Sequence, residues 1–107
     1  MDEKELIFLG SSLDDLKGFP LDARREAGFQ LGRVQSNKEP SDWKPFRQIG
    51  TGVKEIRINK EGAFRIMYVA KFKKRIYVLH AFKKKDQKTR RADIDLAIKR
   101  YKGINDE

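Results

Sequence analysis

The residues of this chain that could do chemistry are cations on strand-like runs in its second half. Arg57, Arg65 and His80 each lie in such a run, and Lys84 follows the last one. Because successive side chains of a strand point to opposite faces, these four fall on one face of the predicted sheet. Arginine binds phosphate with a fixed fork of donors, and lysine binds it as a point charge. The pattern therefore predicts a surface that handles phosphates.

The same alternation predicts which side chains the helices cover. We expect the covered face to hold Ile56, Phe64, Ile66, Tyr77 and Leu79. Phe82 is expected beside the cations on the other face, where its ring could stack on a base. A single β-bulge would exchange the two faces for part of a strand.

Each of these residues also has a common structural role. A strand arginine often forms a cross-strand ion pair, a lone histidine is more often packed or solvated than catalytic, and a run such as Lys83–Lys85 usually solvates a strand end. The phosphate interpretation depends on the convergence of these residues on one face.

Composition and charge narrow the class of protein. The 107 residues predict one domain, 1–107, and the net charge is +9. Residues 1–53 carry 8 Lys/Arg against 9 Asp/Glu, whereas residues 54–102 carry 17 against 5. A basic half of this size attracts polyanions, of which nucleic acid is the commonest.

Several classes of site are excluded or not expected. The chain has no cysteine and one histidine, so a thiolate zinc site and a multi-histidine metal site are excluded. The apolar runs are shorter than the roughly 20 residues that cross a bilayer, and no secretory signal pattern is present. We expect a cytoplasmic protein with no membrane partner, no metal and no small-molecule cofactor.

The first half predicts a strand and an αα-hairpin. The strand is expected at Lys4–Leu9, and a short helix begins at Ser12, with Ser12 and Asp15 forming a capping box. Leu13 and Leu16 form the inner face of this helix. The next helix is expected at Leu21–Gln35, with Ala27, Leu31 and Val34 on its apolar stripe, and the segment Ser36–Phe46 as a loop.

The second half predicts an antiparallel meander and a last helix. The three strands are expected at Val53–Ile58, Ala63–Lys71 and Ile76–Lys83. Thr89 could cap a helix that runs to about Lys102, with Ile94, Ala97, Ile98 and Tyr101 on its apolar stripe. The order βαα-βββ-α predicts an α+β domain whose helices pack on one face of the sheet.

Five segments in this order resemble the RelE/ParE toxin superfamily, and most of all its phage-derived, HigB-like branch. The segments are Leu9–Pro20, Trp43–Pro45, Gly52–Ile58, Phe64–Ala70 and Tyr77–Lys84. The resemblance implies a small RelE-like domain that is the toxin of a type II toxin–antitoxin pair. It also implies a helix-turn-helix antitoxin of the HigA type as a partner.

The RelE-like members of this superfamily cut mRNA in the ribosomal A site. The 2′-hydroxyl of the RNA attacks the adjacent phosphate, and the 5′-oxygen leaves. By the motifs, Arg57, Arg65 and Lys84 match basic positions that would hold the phosphates and stabilise the developing charge, with the ribosome and mRNA as partners. The expected RNA-binding residues are Lys54, Phe82, Lys83, Lys85 and Lys88.

The chain departs from RelE itself at two positions. Glu55 stands where RelE has a second lysine, and the C-terminal catalytic tyrosine has no counterpart. Proton transfer is therefore expected to fall to His80 or Glu55, or to be weak. Histidine suits the task because this residue type changes its charge near neutral pH. On this hypothesis His80→Ala abolishes cleavage and leaves the fold intact.

Three alternatives remain open. The first is a ParE-like toxin with the same fold that targets gyrase, and the second is an RNA-binding module without catalysis. The third is a basic face that only keeps the protein solvated. The basic face and the His80/Lys84 cluster favour RNA.

Overall fold

The computed structural model describes residues 3–106, which form a five-stranded mixed sheet and three helices. The α+β class and the order of the predicted elements are confirmed. The elements are β1 (Glu5–Phe8), α1 (Ser12–Lys17), α2 (Leu21–Gln35), β2 (Trp43–Pro45), β3 (Val53–Asn59), β4 (Ala63–Val69), β5 (Arg75–Lys83) and α3 (Arg91–Lys102).

The strands lie in the order β1-β5-β4-β3-β2. The strands β3, β4 and β5 form the predicted antiparallel meander, and β1 adds to β5 in parallel. The segment predicted as a loop contains β2, which pairs with β3 through Lys44 and Glu55. Pro45 argued against a strand there, but proline is tolerated on an edge strand, and β2 is the edge.

The helices cover both faces of the sheet, so the prediction that they pack on one face is wrong. The helices α1 and α2 cover a core that includes Ile56, Ile66 and Tyr68. The helix α3 covers the opposite face, where Val69 and Tyr77 are buried. Residues 84–90 join β5 to α3, which lies across the face that α1 and α2 leave free.

A β-bulge in β5 explains the second difference from the expected faces. Met67 pairs with His80 and Tyr68 pairs with Val78, which leaves Leu79 as an extra residue. Tyr77 and Leu79 therefore belong to the α3 side, whereas the sequence predicted them beside Ile56 and Ile66. Beyond the bulge, alternation resumes with His80 and Phe82 on the face opposite Ile56 and Ile66, as predicted, but α3 packs on part of that face, which was expected to be free of helices.

The helix stripes agree with the sequence except in α1. Ala27, Leu31 and Val34 are buried on the inner face of α2, and Ile94 and Ala97 are buried on the inner face of α3. In α1 only Leu16 turns inward, since Leu13 is 36% exposed.

The helix caps differ from the predicted ones. Ser11, not Ser12, occupies the N-cap position of α1, and its side chain makes no capping hydrogen bond. Ser12 is buried, and its hydroxyl donates to the Val78 carbonyl oxygen at 3.3 Å. The N-cap of α3 is Arg90 rather than Thr89.

Two contacts fix the C-terminal end of α3 against the sheet. Gly50 lies so close to Tyr101 that a Cβ there would be 2.5 Å from the ring, so any larger residue would have to displace the Tyr101 side chain. The Tyr77 hydroxyl donates to the Asp106 carboxylate at 2.6 Å.

Among residues 3–106 no helix is long and apolar enough to cross a membrane.

Candidate nucleic-acid interface

The strands β3, β4 and β5 bring the predicted cations onto one face of the sheet. Arg57 lies opposite Arg65, and Arg65 lies opposite Phe82. His80 pairs with Met67 and lies on the same face as Phe82, two residues before it in β5. Lys84 extends the pairing of β5 with β4, because its backbone N–H donates to the Ala63 carbonyl oxygen at 2.8 Å. We call the face that carries Arg57, Arg65, Phe82 and Lys84 the basic face.

The helix α3 covers only one end of this side of the sheet. It packs over buried residues such as Val69 and Leu79. Arg57, Arg65 and Lys84 lie beyond it and remain partly exposed. The cations are therefore neither scattered over the domain nor sealed under a helix.

A buried carboxylate lies under the cations. Glu55 is 0% exposed, and its Oε1 lies 3.9 Å from Arg65 Nε and 3.8 Å from Lys44 Nζ. Neither carboxylate oxygen has a hydrogen-bond partner among the described residues. Because a buried charge is costly unless it is paired, Glu55 acts as a negative centre that holds two cations at the surface. The sequence did not indicate Lys44, because its strand was not predicted.

The charge around Lys84 changes its proton affinity. Burial lowers the pKa of Lys84, and the positive charges of Arg65, Lys44 and Arg57 lower it further, against the opposing effect of Glu55. A lysine with a lowered pKa gives up its proton more readily than a solvated one. Lys84 therefore combines positive charge with the ability to donate a proton.

His80 is bound to α3 and does not point freely toward the open face. It is 6% exposed, and its Nε2 lies 2.7 Å from Asp93 Oδ1 in the first turn of α3. Its ring stacks on Phe82 at 4.8 Å between centroids, and Nδ1 is buried without a partner. In this structure His80 joins the helix to the sheet. Asp93 was not predicted as a partner of His80, because the two residues are thirteen positions apart in the sequence.

The expected RNA-binding residues separate into two groups. Phe82 lies on the basic face, and Lys85 and Lys88 are exposed between β5 and α3. Lys83 pairs with Phe64 and so points to the opposite face of the sheet.

Lys54 also lies on that opposite face. Its Nζ is 2.9 Å from the Glu39 carboxylate and 4.5 Å from the centre of the Trp43 ring. Lys54 and Lys83 therefore lie on the face of the sheet opposite Arg57, and their expected part in RNA binding stays a prediction. Because successive side chains of a strand point to opposite faces, Lys54 and Lys83 point away from the face that carries their neighbours Glu55 and Phe82.

No group of three or more His, Asp or Glu side chains among residues 3–106 could hold a metal ion. The site is thus built from cations, one buried carboxylate and one histidine–aspartate pair.

Residues 14–102 match the model of the family described as phage-derived protein Gp49-like (DUF891). No curated protein matches the chain. The matched range includes α2, every strand of the basic face and all of α3. Because the match spans most of its length, the chain belongs to the phage-derived Gp49-like family, a family of RelE/toxin-like proteins.

Proposed function

We propose that this chain is the toxin of a type II toxin–antitoxin system, of the HigB-like branch, and that it cleaves mRNA on the ribosome. The observation that supports this most is the convergence of Arg57, Arg65 and Lys84 on an open sheet face above the buried Glu55. Membership of a RelE/toxin-like family supports the same function.

The cations can stabilise the negative charge that develops when the 2′-hydroxyl of RNA attacks the adjacent phosphate. The 2′-oxygen forms a bond to phosphorus, the bond from phosphorus to the 5′-oxygen breaks, and negative charge grows on the phosphorane oxygens between these events. Preorganised donors stabilise such charge more than they stabilise the ground state. In the proposed reaction the guanidinium groups of Arg57 and Arg65 bind those oxygens.

The proton of the leaving group is assigned to Lys84. The 5′-oxygen must gain a proton as it departs, and the lowered pKa of Lys84 makes its ammonium group a suitable donor. Glu55 and His80 are both buried, and His80 Nε2 is bound to Asp93. We therefore assign the 2′-hydroxyl proton to solvent water, and give Glu55 and His80 the role of positioning Arg65 and Phe82.

The test is induction of the chain in cells, with mapping of mRNA 5′-ends and measurement of protein synthesis. Arg57→Ala and Lys84→Ala should remove the new ends and restore growth. Arg25→Ala and Lys74→Ala are charge-matched controls, since both residues are exposed and away from the basic face. They should be as toxic as the wild type. DNA damage with continuing protein synthesis would instead support the gyrase-directed alternative.

One observation favours a second candidate, an RNA-binding module without catalysis. Both side chains that the sequence offered for proton transfer, His80 and Glu55, are buried. Such a module would bind RNA through the basic face and produce no new mRNA ends at any expression level. The purified chain with ribosomes and mRNA separates the two, because only an endonuclease generates 5′-hydroxyl ends.

The antitoxin and the ribosome belong to the same proposal. We expect a helix-turn-helix protein of the HigA type to be encoded next to this chain. Its co-expression should restore growth and yield a stable complex on purification, and failure of both would contradict the toxin–antitoxin assignment.

A further inference from the structure

A second group of lysines surrounds a cavity on the sheet side that carries α1 and α2. The cavity has a volume of about 250 Å³ and lies where the C-terminal end of α2 meets the ends of β3 and β4. We call it the lysine pocket. Its polar lining includes Lys4, Lys38, Lys54, Lys71, Glu39 and Tyr68.

Tyr68 provides a hydrogen-bond donor that the fold does not use. The residue is 1% exposed, and its hydroxyl has no hydrogen-bond partner among the described residues. A buried hydroxyl left unpaired costs about 1–3 kcal/mol. Burial raises the pKa of Tyr68, and the negative charge of Glu39 raises it further, so the hydroxyl keeps its proton at neutral pH.

The lysines leave donors free for a ligand. Lys4 Nζ donates to the Ala70 carbonyl oxygen at 2.7 Å, and Lys54 Nζ contacts both Glu39 oxygens at 2.9 Å. An ammonium group has three N–H donors, so these contacts do not exhaust either lysine. The lining has four lysines against one glutamate, but Lys71 Nζ donates to the Tyr101 hydroxyl at 3.0 Å, so the net positive charge of the pocket comes from Lys4, Lys38 and Lys54.

Glu39 marks where an anion would bind. Its carboxylate bridges to Lys54 across the rim and acts on the Tyr68 hydroxyl through its charge. Its side chain is 54% exposed, so it can turn out into solvent without unpacking the core. An incoming oxyanion would take over the donors that Glu39 now uses.

We propose that the lysine pocket binds a phosphate group, with the Tyr68 hydroxyl and the lysine ammonium groups as donors and with displacement of Glu39. A cavity of about 250 Å³ is large enough for one phosphate group and a few water molecules of its hydration shell, and the charged side chains of its lining do not favour a large apolar ligand. The phosphate could be inorganic or belong to an RNA strand. The site lies on the other side of the sheet from Arg57 and does not depend on the proposed cleavage.

The first test is a titration of the full chain with sodium phosphate, followed by NMR at constant ionic strength with sodium chloride as the reference salt. The side-chain signals of Tyr68, Lys38 and Lys54 should shift and saturate with phosphate but not with chloride. Shifts that are the same in both salts would show only screening and would overturn the proposal.

Four variants make the test specific. Tyr68→Phe and Lys38→Ala should each weaken phosphate binding several-fold, whereas Glu39→Gln should strengthen it, since it removes the competing charge. Lys74→Ala is the charge-matched control and should bind as the wild type does. Equal binding by the Tyr68→Phe variant and the wild type would overturn the role of the hydroxyl and with it the proposal.

Thermal unfolding in phosphate-free buffer excludes a folding artefact. Tyr68→Phe removes an unpaired donor and should be at least as stable as the wild type, while it binds phosphate less well. A variant that loses stability to the same extent as affinity would indicate that the hydroxyl has a structural partner, which contradicts the proposal.

Two RNA oligonucleotides of one sequence identify the source of the phosphate. If the 5′-phosphorylated strand competes with inorganic phosphate and the 5′-hydroxyl strand does not, the pocket binds a terminal phosphate. If both compete equally, it binds an internal one, and if neither competes, the ligand is free phosphate. Arg57→Ala should leave the shifts of Tyr68, Lys38 and Lys54 with inorganic phosphate unchanged, which separates this site from the proposed cleavage site.

Discussion

At the scale of single residues, the most consequential feature is the buried carboxylate of Glu55. It meets Arg65 and Lys44 at distances near the limit of an ion pair and receives no hydrogen bond from the described residues. Removal of one member of a buried pair leaves an uncompensated charge, which is more harmful than removal of both. The side chain of Arg65 is 11% exposed, so water cannot take its place easily.

Arg65→Ala should therefore destabilise the protein by about 3–5 kcal/mol, the range measured when one member of a buried ion pair is removed. Addition of Glu55→Gln should recover more than half of that loss, because it removes the stranded charge. Chemical denaturation of the two variants measures both effects. Arg57→Ala is the matched control on the same face and should change stability little. An equal loss in Arg57→Ala and Arg65→Ala would contradict this role of Glu55.

The lowered pKa of Lys84 gives a prediction for the dependence of cleavage on pH. If the ammonium group of Lys84 donates the proton, cleavage needs its protonated form, which is lost as the pH rises through the pKa. Because burial and the nearby cations lower that pKa, the decline should begin at a lower pH than for a solvated lysine. Initial rates of mRNA cleavage between about pH 6 and 9 measure it, as one pKa unit corresponds to a tenfold change in protonation ratio.

Lys84→Arg separates proton donation from charge, because arginine keeps its charge and does not deprotonate in this range. The proposal expects this variant to be slow at every pH. A fully active Lys84→Arg variant with a flat profile would show that Lys84 provides charge alone.

At the scale of elements, α3 depends on a few polar contacts with β5. His80 contacts Asp93 at the beginning of the helix, and Arg100 donates to the Leu79 carbonyl oxygen at 2.9 Å near its end. Only Ile94 and Ala97 of this helix are fully buried among its apolar residues. A helix with so small a buried stripe needs such contacts to stay docked.

His80→Ala should release the first turns of α3, so the expectation that this variant leaves the fold intact does not fit the contacts of His80. Hydrogen exchange should be faster in α3 and unchanged in β3 and β4. Asp95→Asn is the control, since it breaks the exposed pair with Arg91, at 2.9 Å, in the same part of the helix. Exchange in α3 that is no faster in His80→Ala than in Asp95→Asn would contradict this role.

Local periodicity predicted the elements that carry their own apolar stripe. The strands β3 to β5 and the helix α2 each show it, because burial of one face dictates the pattern. Tertiary contacts decide the rest: Leu79 forms a bulge where β5 changes from pairing with two strands to one, and β2 is a strand through its pairing with β3. The pairing of Asp93 with His80 is also a tertiary contact, because the two residues are thirteen positions apart and no local pattern links them.

At the scale of the whole molecule, the charge is carried by the half that folds into β3, β4, β5 and α3. Residues 54–102 hold 17 Lys/Arg against 5 Asp/Glu. Such a half binds RNA mainly by releasing counterions from phosphates, which makes affinity fall with salt. Cations that do not contact phosphate also attract RNA at a distance, but they are screened beyond about 8 Å at physiological ionic strength. The salt dependence of affinity therefore counts contacts, not net charge.

The slope of log affinity against log salt concentration should thus report on individual cations. For a single strand each phosphate contact contributes about 0.7 to the slope. We expect Arg57→Ala and Lys84→Ala each to reduce it by about that amount, measured with a 2′-O-methylated RNA that cannot be cleaved.

Lys74→Ala removes the same charge from the far end of β5 and should leave the slope unchanged, because Lys74 is exposed and distant from the basic face. If all three variants lower the slope equally, RNA responds to the overall charge of the molecule. The basic face would then have no privileged contact with phosphate, and the cleavage proposal would lose its structural support.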